Sequence, residues 1–241
     1  MKKLFTIAML AIASITNAQT LGYNDIGVLF SQENSNGTAR FNAMSGAFGA
    51  LGGDISAMGI NPAGAAVFLR SEFGISLQSK ETETLSSFYV MSELSNKETY
   101  NIKKAGGVFV FSDFSSSDWN KVALGFNYSM VNDFDNVWFA SGNSGFAPIT
   151  DFYDPDVLYG NSDGQSFENF TEGRNNKYGF TFAAEYNNNL YVGAAINTYD
   201  VEYFQQVIID EYNSDINGNT FDVNQLQELY TYGDGISFNL G

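Results

Sequence analysis

The chain has no cysteine and no histidine, only three prolines, and 11 lysines and arginines against 27 aspartates and glutamates. Without cysteine there is no disulfide staple, no thiol nucleophile and no lipoprotein anchor. Without histidine the commonest general base and the commonest metal ligand are missing, and a Ser-His-Asp centre cannot be assembled. A formal net charge of −16 leaves little to neutralise nucleic-acid phosphates or to dock on anionic headgroups. Apart from the first residues the apolar runs are short, and none reaches the roughly 20 residues that a membrane helix needs. Such a chain is either soluble or crosses a membrane as strands.

What is present points to strands. Lys2 and Lys3, an apolar stretch over 4–15 and the small exit Thr16-Asn17-Ala18 have the layout of a secretory signal peptide cleaved after Ala18. Aromatic residues reach 16% (22 Phe, 14 Tyr, 2 Trp), whereas charged residues are held to 16%. That combination suits a wall facing lipid, where rings collect at the two interfaces. The acidic residues are then expected in exposed loops and a wet lumen.

Beyond Arg70 the dominant signal has period two. Val122, Leu124, Phe126, Tyr128 and Met130 alternate with Ala123, Gly125, Asn127 and Ser129. Tyr178, Phe180 and Phe182 alternate with Gly179, Thr181 and Ala183; Leu190, Val192, Ala194 and Ile196 with Tyr191, Gly193, Ala195 and Asn197. Ile236, Phe238 and Leu240 continue the pattern. Alternation puts one set of side chains on each face of a strand. One face here is large and aromatic, the other small and weakly polar with few charges, which fits lipid outside and a crowded lumen inside better than a soluble sandwich. Further strands are predicted over 72–79, 86–92, 105–113, 134–140 and 201–210. A polar segment over 141–176, with Pro148, Pro155 and several acids, reads as a long exposed loop. Asn187-Asn188-Asn189 reads as a tight hairpin turn. The fold class expected is all-β: an antiparallel transmembrane β-barrel, incomplete over this sequence because closure in lipid needs more strands.

From Gly37 to Gly64 runs a glycine- and alanine-rich segment that opens Thr38-Ala39-Arg40, passes through Ser45-Gly46-Ala47-Phe48 and ends in Asn61-Pro62-Ala63. A phosphate loop would need Lys followed by Ser or Thr after the glycines, but Asp54 follows Gly53. The glycines read instead as close packing. Pro62 fixes its own backbone and pushes Asn61 toward an extended conformation, marking an exit into the first strand. In order and composition this segment resembles the N-terminal plug of the FadL/TodX family of outer-membrane channels.

That resemblance implies a plug with short helical segments over 19–70 and the N-terminal part of a barrel over 71–241, following a leader over 1–18. It implies a monomeric outer-membrane channel with no enzymatic activity, cofactor, metal or nucleic-acid partner. Such a channel takes up long-chain fatty acids or aromatic hydrocarbons passively and releases them sideways into membrane lipid. The family's barrel has about fourteen strands, more than the pattern over 71–241 supplies. Ligand-passage candidates are Arg40, Phe41, Met44, Phe48, Leu51 and Met58, with Asn61, Pro62 and Ala63 at the exit. Arg40 is expected to pair with Asp54 or a wall carboxylate, since buried charges need partners. Asp215-Ile216-Asn217-Gly218-Asn219 lacks the Gly and Glu that an EF-hand loop needs at its sixth and twelfth positions, and reads as a hairpin tip. The rival reading is a structural or adhesive outer-membrane barrel whose acidic loops bind partners.

Overall fold

The period-two segments become long antiparallel strands. The computed structural model describes residues 23–32, 37–112, 117–146, 149–151, 153–154 and 156–241. The leader over 1–18, the parts 19–22 and 33–36 of the tail, Pro148 and Pro155 lie outside these residues. The strands are β1 (Glu72–Phe88), β2 (Met91–Ser112), β3 (Trp119–Asp133), β4 (Asn136–Gly142), β5 (Ile149–Thr150), β6 (Leu158–Tyr159), β7 (Asn161–Tyr186), β8 (Leu190–Ser214) and β9 (Thr220–Leu240). Seven of them form one sheet in the order β1-β2-β3-β7-β8-β9, with β4 also paired to β7, and β5 and β6 make a separate two-residue ladder. The sheet is open, with β1 and β9 as its edges.

Two expected boundaries are corrected. The segment 86–92 is not one strand, because Tyr89 and Val90 form the turn between β1 and β2, with Tyr89 at φ 52° and Phe88 opposite Met91. Their side chains carry strand propensity, so the turn is masked in sequence. The segment 141–176 is a loop only between Gly142 and Asn161, where it carries the short β5–β6 ladder: β4 runs to Gly142, and β7 occupies 161–186 and pairs along its length with β8. It is polar on both faces there, so the ladder exists without any alternation to announce it. The predicted turn after Tyr186 is present. The loop holds three residues between the paired Tyr186 and Leu190; Asn187 (φ 47°) and Asn188 (φ 57°) take the left-handed conformation of the two central residues of a primed turn, closed by the Asn189 N–H on Tyr186 O at 3.1 Å. Placing valine at 188 should cost about 1–2 kcal/mol, read as a lower unfolding midpoint in detergent, whereas Asn188→Gly should not.

Register sorts the two faces into rows. Phe73, Gly107, Phe126, Phe180, Ile196 and Phe238 sit opposite one another across the sheet, and all but Gly107 are exposed. The reverse face carries the row Gly74, Gly106, Asn127, Gly179, Asn197 and Ser237. Met130, opposite Asn176 and next to a register irregularity that precedes Asn132, is buried. The main hydrophobic core forms where a plug settles on the small-residue face. Ile55, Met58, Ala65, Ala66 and Phe68 of the plug pack there with Val108, Ala123 and Ala183. The plug residues from 37 and the sheet form one compact unit, whereas helix α1 (Tyr23–Ser31) belongs to another.

Candidate functional site

The plug is a chain of very short helices tied by one carboxylate. They are α2 (Ala39–Ala43), α3 (Phe48–Leu51) and the 3-10 helices η1 (Ala57–Gly59) and η2 (Pro62–Val67), each too short to be stable alone. Thr38 caps α2, its hydroxyl accepting from the Phe41 N–H at 3.2 Å. The buried Asp54 accepts from Thr38 Oγ1 at 3.0 Å, Arg40 Nε at 3.0 Å and the Ser56 N–H at 2.8 Å. Ser56 Oγ in turn accepts from the Thr38 N–H. Burial alone would raise the Asp54 pKa, but the Ser56 N–H, Thr38 and Arg40 together hold it below the ordinary 3.8. Asn61 caps η2 by accepting from the Ala63 N–H at 3.1 Å, with Pro62 at its first position. Gly52, at φ 69°, allows the two halves to touch backbone to backbone: a Cβ there would lie 2.8 Å from Gly64 Cα.

The nine residues singled out in sequence divide into distinct groups. Arg40 pairs with Asp54 at 3.0 Å and lies over the Phe48 ring, 4.9 Å from its centroid, so it serves the plug's own structure. Phe41 and Met58 are buried in packing. Met44 and Leu51 are exposed at 51% and 61%, and Phe48 is half-buried, so these three remain open to a ligand. Pro62 and Ala63 are buried against β8, where a Cβ on Gly193 would come 2.4 Å from Ala63 N.

The wall side of this contact is absent from the sequence reading. A Cβ on Gly125 would meet Met58 Sδ at 2.6 Å, and one on Gly106 or Gly74 would meet Ile55 within 3 Å. Polar ties complete the seat. Asn239 Nδ2 donates to Gly59 O at 3.2 Å and Lys121 Nζ to Ala66 O at 3.0 Å, while Lys121 pairs with Glu185 at 2.8 Å. The alternation of small residues was a signal for an inner face, but not for which of them meet the plug.

Two residues along from that seat, the plug-bearing face of the sheet turns basic. Lys104, Ser129, Lys177 and Tyr199 share one row, and both lysines are buried. The Lys177 ammonium lies 5.2 Å from the Tyr199 ring centroid. A bulge in β2 turns Lys103 inward beside Lys104, with Asp133 and Lys80 as its electrostatic neighbours. The β2–β3 ladder ends at Lys104 opposite Ser129, although β2 continues paired to β1 as far as Met91. Beyond it, among the described residues, bonds that each involve a side chain tie β1 and β2 to β3 and β4: Asp133 accepts from Thr99 at 3.3 Å and Asn101 at 3.1 Å, Ser95 Oγ accepts from the Phe139 N–H at 3.1 Å, Thr84 Oγ1 donates to Asn136 at 3.3 Å, and Ser141 Oγ donates to Glu93.

Farther from the plug, Thr84 and Phe88 of β1, Trp138 and Ala140 of β4 and Phe167 of β7 line an apolar cleft of about 450 Å³. At the β8–β9 tip, Asp215 accepts from the Asn217 and Asn219 N–H groups, both at 2.8 Å, and from Asn219 Nδ2 at 2.7 Å. The Asn219 side chain is the largest influence lowering its pKa, and this carboxylate organises its own turn. No family model, no curated protein and no solved structure matches this chain.

Proposed function

We propose that this chain is the plug-bearing part of an outer-membrane β-barrel channel for passive uptake of long-chain fatty acids or other hydrophobic compounds. The observation that carries the reading is the inversion of the sheet: its small-residue face seats the plug, while its aromatic face lies bare. In water each large side chain left bare would forgo roughly 1.5–3 kcal/mol of burial, whereas in lipid it loses nothing. Tyrosines and a tryptophan bound the bare band. Tyr128 and Tyr178 pair at 5.4 Å on one side, Trp119 and Tyr186 at 5.1 Å on the other. Tyr178 and Tyr186 are eight positions apart on β7, or ~27 Å along a strand. A tilt of about 40° turns this into ~21 Å, close to the apolar height of an outer-membrane barrel.

In this reading the apolar cleft receives the ligand, the inner lysines hold its carboxylate, and the seam between β2 and β3 offers the sideways exit. The cleft's volume falls in the range of small-molecule sites, and the buried ammoniums favour an acidic amphiphile over a neutral hydrocarbon. Uptake of a labelled long-chain fatty acid should exceed that of cells carrying an unrelated porin; equal uptake would favour the adhesive reading. Replacing Lys104 and Lys177 together with methionine should weaken fatty-acid binding about tenfold, consistent with loss of charged hydrogen bonds, and leave a neutral hydrocarbon unaffected. Deleting residues 19–64 should change uptake without abolishing membrane insertion, and unchanged uptake would count against gating by the plug.

A further inference from the structure

Beneath η1 the seat is polar in a way that the plug does not satisfy. Asn127 is 1% exposed and Asn197 fully buried, yet among the described residues both polar side-chain atoms of Asn127 and the Oδ1 of Asn197 have no hydrogen-bond partner. Asn197 Nδ2 is accounted for by Ser237 Oγ at 3.3 Å. The two oxygens converge over the glycine that separates them in the row: a Cβ on Gly179 would lie 2.6 Å from Asn127 Oδ1 and 2.8 Å from Asn197 Oδ1. Thr181, two residues along the same face, also has an unpartnered buried hydroxyl. The plug roofs this space, with Gly59 above Asn127: a Cβ on Gly59 would stand 3.7 Å from Asn127 Nδ2.

Buried polar atoms almost always have partners, and a small polar space with two or more of them suits ordered water. The valences select the guest. Two acceptor oxygens require a molecule that donates twice, which excludes an anion. A metal cation would satisfy the oxygens but leave the Asn127 amino group without an acceptor. Water donates twice and accepts twice. We propose that a water molecule held by Asn127 Oδ1 and Asn197 Oδ1 over Gly179 is a built part of the seat between plug and wall. The site concerns the seat alone, so its failure would leave the transport reading untouched.

The test is hydrogen exchange of the plug amides over 57–66, followed by mass spectrometry on the intact protein in detergent. Asn127→Val and Asn197→Val should each speed exchange about tenfold, since each removes one anchor and strands the other. The double variant, with both acceptors gone, should return to within about threefold of the native rate. Gly179→Ala fills the cradle, so it should harm the native seat and be tolerated in the double variant. A double variant as impaired as the product of the two singles, or singles without effect, overturns the site. In the native protein, magnetisation transfer from water to the Asn197 side-chain amide in NMR is expected. A direct contact between the two carboxamides in place of that transfer would also overturn it.

Discussion

Replacing Gly193 with valine should unseat the plug while leaving the strands in the membrane. A Cβ at 193 would come 2.4 Å from Ala63 N, 2.5 Å from Pro62 C and 2.8 Å from Ala63 Cα. These are backbone atoms, so no side chain can swing away. They belong to η2, which is held by the Asn61 cap, by Pro62 and by the Lys121 bond to Ala66. Valine suits the strand itself, so the damage falls on the contact. Overpacking costs about 1–3 kcal/mol where side chains can adjust, and the upper end applies when backbone must move. Exchange of the plug amides should therefore accelerate roughly a hundredfold, with the plug becoming sensitive to protease. Gly233→Ala is the control, because nothing lies within 4 Å of a Cβ there. Unchanged protection in Gly193→Val would mean that η2 is not seated on β8.

Asp54→Ala should loosen the plug from within. Asp54 is 1% exposed, and its loss strips an acceptor from Thr38, Arg40 and the Ser56 N–H at once. The ion pair is not the main part of the effect, because the Arg40 side chain is 53% exposed and an open pair is worth little. The cost arises from buried donors left without a partner, about 2–3 kcal/mol, against under about 1 kcal/mol for Arg40→Ala. Equal losses in the two variants would sink this division. The pH dependence has a definite sign. Because the Asp54 pKa is lowered in the folded plug, its contribution is complete above the unfolded value of about 3.9 and is lost as pH falls through the folded value. Sensitivity of the plug to an acid protease should rise across that window in the native protein, and Asp54→Asn should abolish the Asp54 contribution to it.

The plug shows how far residues alone can be read. That Arg40 needs an acidic partner could be read in sequence, with Asp54, the acid of its own stretch, as one of two choices beside a wall carboxylate; the fold selects Asp54. Phe41, Met44, Leu51 and Met58 could not be separated, since nothing local distinguishes a methionine that fills a core from one left open. Met58 is buried because Gly125, more than sixty residues away in the chain, leaves room for its sulfur. The strand over 161–176 is illegible locally for a related reason. Polar residues on both faces carry no periodic signal, and the strand exists because β8 pairs with it residue for residue.

What the residues determined unaided is the local alternation: where strands run through the apolar band, which side chains share a face, and where the turn over Asn187, Asn188 and Asn189 falls. Those properties follow from backbone geometry, because neighbouring side chains in a strand must point opposite ways. The tertiary structure alone decided which glycines became the seat, which lysines came together, and where the β2–β3 ladder stops. Each depends on register between strands or on contact between segments far apart in the chain. Sub-ångström fit at Gly193 or Gly179 is set by where the plug comes to rest, which no local pattern encodes.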